Sequence, residues 1–359
     1  MAITGNKGEW SEIYTLLKIL GDTLLYTGDE NLEKIEEIIY PIIKILREEL
    51  DGSYEYTIDQ DIVVISSNQL ELHRISVCDF QKQAKFLFQK IKEGNGSFAI
   101  PEMERFMSDI YCLSLKADSS TKTDITIVIH DERINQNSTL GFSIKSRLGS
   151  PSTLLNAGKT TNFKYKINTR LSQVEVQRIN NISSKSKIRD RIEEVIKAGG
   201  KFSFVGTEQK IFSNNLVLID SLLPQLLAKV VFEFYHSTFS KVVDLVDVVE
   251  KENILGFDAS SGHQFYTYKM KRFLTDVALG MMPSKVWSGE YDATGGYLVV
   301  KEDGDVLCYH VYNRNIFENY LLNNTKLETA SSSRHDFGTL YEESGELFMN
   351  LNLQIRFIK

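Results

Sequence analysis

The chain has 359 residues, enough for about two domains, and its 42% hydrophobic, 11% aromatic and 25% charged residues exclude a disordered or fibrous polymer. Its 41 Lys and Arg against 48 Asp and Glu leave a net charge of −7, which excludes a uniformly basic nucleic-acid coat. Three scattered cysteines, Cys78, Cys112 and Cys308, exclude a disulfide framework or a paired-cysteine zinc site and suit a reducing cytoplasm.

Glu9 to Leu25 repeats apolar residues at helical spacing (Trp10, Ile13, Tyr14, Leu17, Leu20, Leu24), and Asn31 to Leu50 does the same with Ile35, Ile38, Ile39, Ile42, Ile43 and Leu46. Both are read as amphipathic helices. Strand-like runs follow at Asp61 to Ile65 and Leu70 to Val77, then helical patterns at Asp79 to Glu93 and Glu102 to Tyr111, so residues 1–110 form a mostly helical N-terminal region. Three strand-like runs come next, at Tyr111 to Lys116, Asp124 to His130 and Gly141 to Leu148. A polar stretch then leads to a strand at Phe163 to Arg170, a helix at Lys185 to Ala198 ended by Gly199-Gly200, and a strand at Lys201 to Val205. Beyond residue 210, helical patterns occupy Asp220 to Tyr235, Ser240 to Glu250 and Phe265 to Gly280. A hairpin turns at Asp303-Gly304 between Gly296 to Val300 and Val306 to Tyr312, and a last strand runs through Leu353 to Phe357. The most apolar stretch, Leu216 to Phe232, is interrupted by Asp220, Pro224 and Lys229, so neither a membrane span nor a signal peptide is expected.

Charge is uneven. Met1 to Gln60 holds 13 acidic and 5 basic residues, whereas Gly141 to Arg191 holds 11 basic and 2 acidic ones. Attraction to phosphate acts over about a Debye length, roughly 8 Å, so the basic stretch suits a polyanion as well as it suits a solvated face.

Asp124 opens the second of the three strands, and Ser143-Ile144-Lys145 lies 19 to 21 residues further on in the third. Alternation places Ser143, Lys145 and Arg147 on one face. Phosphodiester hydrolysis needs a carboxylate-held cation that polarises phosphate and acidifies water, and a second positive group near the nucleophile. Asp124 and Lys145 are the residue types for those tasks, although the same pair also suits a strand cap and a wet strand face. Histidine spacing offers no zinc pair, and no phosphate-binding glycine loop occurs.

The block Gly141 to Ala157 (Gly-Phe-Ser-Ile-Lys-Ser-Arg-Leu-Gly-Ser-Pro-Ser-Thr-Leu-Leu-Asn-Ala) with Thr161-Asn162-Phe163 resembles the centre of the HpaII-type restriction endonucleases. The opening Asn6-Lys7-Gly8-Glu9-Trp10-Ser11-Glu12 is similar to that family's start. Its C-terminal pattern is resembled by Tyr309 to Tyr312 with Arg314, Tyr320 to Thr325-Lys326, Ser333-Arg334-His335 with Phe337-Gly338, and Asn352 to Phe357. The resemblance implies an α/β fold with a mixed sheet: a restriction-endonuclease-like PD-(D/E)xK core over residues 111–210, the helical N-terminal layer contributing its first helix, and a C-terminal α/β decoration over 211–359 for recognition or dimerisation. It implies Asp124 as metal ligand, Lys145 as catalytic lysine, the Ile144 carbonyl as a further ligand, and Mg2+ as the ion. Ser143 stands where the superfamily usually has Glu or Asp. The missing carboxylate is sought on the first helix, where Glu12, then Glu9, falls on the apolar side; a helix-dipole or capping role suits either equally, and Asp131 and Glu132 are weaker candidates. Candidate DNA contacts are Arg147, Ser150, Asn156, Lys159, Thr160, Thr161 and Asn162 in the middle and Arg334, Gln354 and Arg356 near the end. The implied activity is Mg2+-dependent cleavage of double-stranded DNA at a short palindrome, CCGG by family expectation, by a homodimer paired in function with a methyltransferase. A repair nuclease of the same fold, or a DNA-binding module with a decayed site, are the competing readings.

Overall fold

The first helix, Lys7–Asp22, is specified at its start: the Asn6 side chain accepts from the Gly8 and Glu9 amides while Glu9 accepts from the Asn6 amide at 2.9 Å. It ends at Thr23, in the left-handed region at φ 62°. Trp10, Ile13, Leu17 and Leu20 are fully buried, and the helix packs on a second one, Val77–Glu93, capped by Ser76. In this computed structural model, which describes residues 2–116, 123–133 and 135–359, helices and strands are mixed as an α/β fold requires.

The segment 31–50 corrects the sequence reading: it is not a helix but the 16-residue strand Lys34–Glu49. Its isoleucines satisfy a helical period, yet β-branched side chains favour a pleated surface, and Pro41 cannot donate to a helical ladder. Around Pro41 the strand changes partner. Its first part pairs with Leu24–Gly28, its second with Ile125–Asp131 on one side and Gly52–Asp59 on the other. Gly52–Asp59 itself was missed by the sequence reading. The run Tyr111 to Lys116 is likewise corrected from strand to turns and bends, with Tyr111 at φ 58°.

The residues fall into two compact units. The first, residues 1–152, 291–320 and 359, is built on a nine-stranded sheet. In order its strands are Leu24–Gly28, Val306–His310, Gly296–Val300, Gln136–Ser146, Ile125–Asp131, Lys34–Glu49, Gly52–Asp59, Ile62–Ser67 and Leu70–Ser76. Because Leu24–Gly28 also pairs with Lys34–Glu49, the first six strands close into a ring. Gln136–Ser146 is central: antiparallel to Ile125–Asp131 and parallel to Gly296–Val300, with Ser143 opposite Tyr297 and Lys145 opposite Val299. The second unit, residues 153–290 and 321–358, contains a four-stranded sheet ordered Phe202–Thr207, Asn162–Ile167, Glu346–Asn352, Leu340–Glu343, a three-stranded one, and helices including Lys187–Lys197, Leu223–His236 and Phe265–Leu279. The expected helix and strand after the lysine strand therefore form, but in this second unit. The parallel neighbour of the lysine strand comes instead from residue 296 onward. Among the described residues no single helix is long and apolar enough to cross a membrane.

Candidate active site

The two central strands bring Asp124, Ser143 and Lys145 together. Asp124 immediately precedes the strand Ile125–Asp131, and its own amide donates to the Phe142 carbonyl, which fixes its carboxylate beside the neighbouring strand. One carboxylate oxygen, Oδ2, accepts from the Ile144 amide at 2.6 Å and from the Ser143 hydroxyl at 3.0 Å. The Lys145 ammonium donates to the Ser143 Oγ at 3.2 Å and stands 4.8 Å from the centre of the buried Tyr297 ring. Ser143 thus relays between lysine and aspartate. A carboxylate in its place would set a second negative charge against the same Asp124 oxygen, whereas the hydroxyl donates to it.

Glu12, on the first helix, lies within electrostatic reach of Asp124. Its carboxyl is pushed up to about 8 by burial and, next, by the negative charge of Asp124. Among the described residues no donor hydrogen-bonds it. The neighbouring Ser11, fully buried, donates to the Lys7 carbonyl and shares a 2.7 Å hydrogen bond with Ser146, which ties the helix to the lysine strand. Glu9 is differently employed: Oε2 caps the Asn6 amide and Oε1 meets the Lys116 ammonium at 3.1 Å. The bond to the Asn6 amide and the Lys116 charge hold the Glu9 carboxyl below its ordinary range against the opposing effect of burial. Glu9, Glu12, Lys116, Ile144 and Ser146 line one cleft of about 860 Å3, with the Gly149 to Ser152 loop along it. Asp131 is committed elsewhere, to Arg133. No three His, Cys, Asp or Glu side chains among the described residues converge on one point.

Lys116 went unnoticed in the sequence, where nothing in its local pattern marks it. Ser114, two residues earlier, is held by a buried ion pair: Arg47 Nε contacts Glu49 Oε1 at 2.5 Å, Arg47 donates to the Ser114 carbonyl at 2.6 Å, and the Ser114 hydroxyl donates to Glu49 at 2.8 Å.

The nucleic-acid candidates divide by burial. Ser150, Asn156, Lys159 and Arg334 are exposed, and Arg147, Thr160, Gln354 and Arg356 are half-buried. Lys159 pairs with Asp336, and Arg356 with Glu328 at 2.7 Å. Thr161 and Asn162, also candidates, are fully buried. The Thr161 hydroxyl donates to the Gly158 carbonyl at 3.1 Å, and the Asn162 amide donates to Glu208 at 2.8 Å and to the His335 carbonyl at 2.9 Å. Their donors are spent on holding a turn, which sequence alone does not distinguish from reading a base.

An aspartate and a lysine on adjacent strands, joined through a hydroxyl and accompanied by a partly desolvated helix carboxylate, are residue types suited to phosphodiester hydrolysis. The chain belongs to the HpaII restriction endonuclease family, which it matches over residues 6–357. It is 48% identical over 361 residues to the type II restriction enzyme HpaII of Haemophilus parainfluenzae, with 99% of each chain covered. No solved structure matches it.

Proposed function

We propose that this restriction endonuclease hydrolyses phosphodiesters of duplex DNA at CCGG with Mg2+, using Asp124, Glu12 and the Ile144 carbonyl as metal ligands and Lys145 as the catalytic cation. The observation that carries the reading is the chain of hydrogen bonds Lys145 to Ser143 to Asp124 across two paired strands. The donors suit a hard divalent cation: two carboxylates and a carbonyl, with water and phosphate oxygens to complete the shell. Glu12 supplies the test of fit. A carboxyl raised by burial and by a neighbouring carboxylate is one that a cation between the two would restore to its charged form. When bound, the ion polarises the phosphate and acidifies a water.

The chain's own groups do the rest. Ser143 and the Ile144 amide fix one Asp124 oxygen, and among the described residues none donates to the other. The Tyr297 ring and the Ser143 hydroxyl hold the Lys145 ammonium at the carboxylate edge, where it can orient the attacking water and offset charge developing on the phosphate. Arg147, Ser150, Asn156, Lys159 and Thr160 with Arg334, Gln354 and Arg356 are proposed to contact DNA. A two-fold site is read most simply by a homodimer, and a methyltransferase modifying the same sequence would protect host DNA.

The test is incubation of the purified protein with unmethylated phage DNA, with Mg2+ or with EDTA, followed by sequencing of the ends. Mg2+-dependent fragments ending at CCGG support the proposal. Random ends overturn the sequence-specific reading, and intact DNA with every divalent metal overturns the catalytic one.

A further inference from the structure

Lys116 stands apart from the core residues of the site, yet it is delivered to the same carboxylates. Its ammonium lies 3.1 Å from Glu9 Oε1 and within the electrostatic reach of Glu12 and Asp124, while its side chain remains 61% exposed on the wall of the cleft that holds Glu12 and Ile144. An exposed lysine of this kind would ordinarily sample many rotamers at little cost. Here the backbone leading to it is clamped. Ser114 receives Arg47 on its carbonyl and gives its hydroxyl to Glu49, and that hydroxyl is also 2.5 Å from the Lys116 carbonyl. Arg47 and Glu49 are buried, with side chains 5% and 1% exposed, and an ion pair costs desolvation there. That cost goes into fixing the short segment ending at Lys116.

We propose that Lys116 is a phosphate-binding residue for the DNA substrate, gripping a backbone phosphate in this cleft while Glu9 holds the ammonium in place beforehand. An ammonium has three donors, and one ion pair with Glu9 leaves two for phosphate oxygens. Positive charge at the rim also admits a polyanion to a site whose floor is two carboxylates. The inference rests on the nuclease reading above.

The experiment measures binding of a duplex oligonucleotide containing CCGG, by fluorescence anisotropy in EDTA over a series of KCl concentrations. It compares wild type with Lys116→Ala, Lys116→Arg and Glu9→Gln, each first shown to unfold at the wild-type temperature. Lys116→Ala is expected to bind roughly tenfold more weakly, with its salt slope smaller by about 0.9, the value for one lost phosphate contact. Lys116→Arg retains the slope. Glu9→Gln also retains it, since its lysine is still there. A lysine that merely braces the helix would behave otherwise: Glu9→Gln would match Lys116→Ala, and neither slope would move. Wild-type binding with an unchanged slope in Lys116→Ala overturns this proposal alone, whereas failure of the wild type to bind the duplex both in EDTA and with Ca2+ in its place overturns the proposed cleavage at CCGG and this inference together.

Discussion

Three side chains carry the catalytic proposal, and each has a separate expectation. Lys145→Ala removes the cation that touches Ser143, and cleavage falls at least about a hundredfold while DNA binding persists; single-turnover cleavage beside a gel-shift assay checks this. Asp124→Ala removes the acceptor shared by Ser143 and the Ile144 amide, with a loss of roughly a thousandfold and a backbone amide left unpaired. Glu12→Gln separates its two readings, because a capping or dipole role would leave cleavage nearly unchanged, whereas a metal-binding role raises the Mg2+ concentration needed for half-maximal rate. At this scale the sequence was most informative where chemistry is local. Period-two alternation placed Ser143 and Lys145 on one face, and the helical period set Glu12 toward the core. It could not separate Thr161 and Asn162, buried in a turn, from the exposed Ser150 and Asn156, because all four are short polar residues in one polar stretch.

Elements obey wider constraints than periodicity. Lys34–Glu49 has the apolar spacing of a helix and forms a strand, since Pro41 interrupts any helical ladder and partners on both edges satisfy its amides. Two of those partners, residues 24–28 and 52–59, flank it across short turns, whereas the third, 125–131, lies about eighty residues away and no local pattern announces it. Two tests belong here. Asn6→Ala removes the cap of the helix carrying Glu12 and lowers stability by about 1 kcal/mol in urea unfolding. Glu49→Ala strands the Arg47 guanidinium in the interior, at a cost of roughly 3–5 kcal/mol. Replacing Arg47 and Glu49 together by leucine is closer to neutral for stability, yet it loosens the Ser114 clamp and weakens DNA binding through Lys116.

For the whole molecule, one group that couples stability to pH is His310, which is 1% exposed and accepts a hydrogen bond from the Tyr312 amide at Nδ1, 3.0 Å away. Burial, with help from Arg133 and against the pull of Asp131, lowers its pKa to about 4 from the ordinary 6.5. As a group depressed on folding, it leaves stability intact above about 6.5. As the pH falls toward 4 the unfolded chain gains a proton that the folded one refuses, and roughly 3 kcal/mol is lost. Urea midpoints between those values should fall more steeply for wild type than for His310→Gln; parallel curves would remove His310 from the account. The enzyme class was legible through the blocks at residues 6–12, 141–163 and 309–357 that resemble the family, whereas the basic stretch by itself suited a solvated face. The closure of the sheet was not legible, because Gly296–Val300 with Gln136–Ser146 and Val306–His310 with Leu24–Gly28 pair across well over a hundred residues.

The parallel pairing of Gln136–Ser146 with Gly296–Val300 also sets an order of events during synthesis. The ribosome delivers Asp124 and Lys145 early, but the strand that carries Tyr297 beside Lys145 emerges only after the whole insertion from 153 to 290. Pairing between such distant segments is slow and comes late in folding. A chain truncated before Gly296 therefore leaves Lys145 on an open sheet edge, and under the role proposed for that lysine it is expected to cut no DNA.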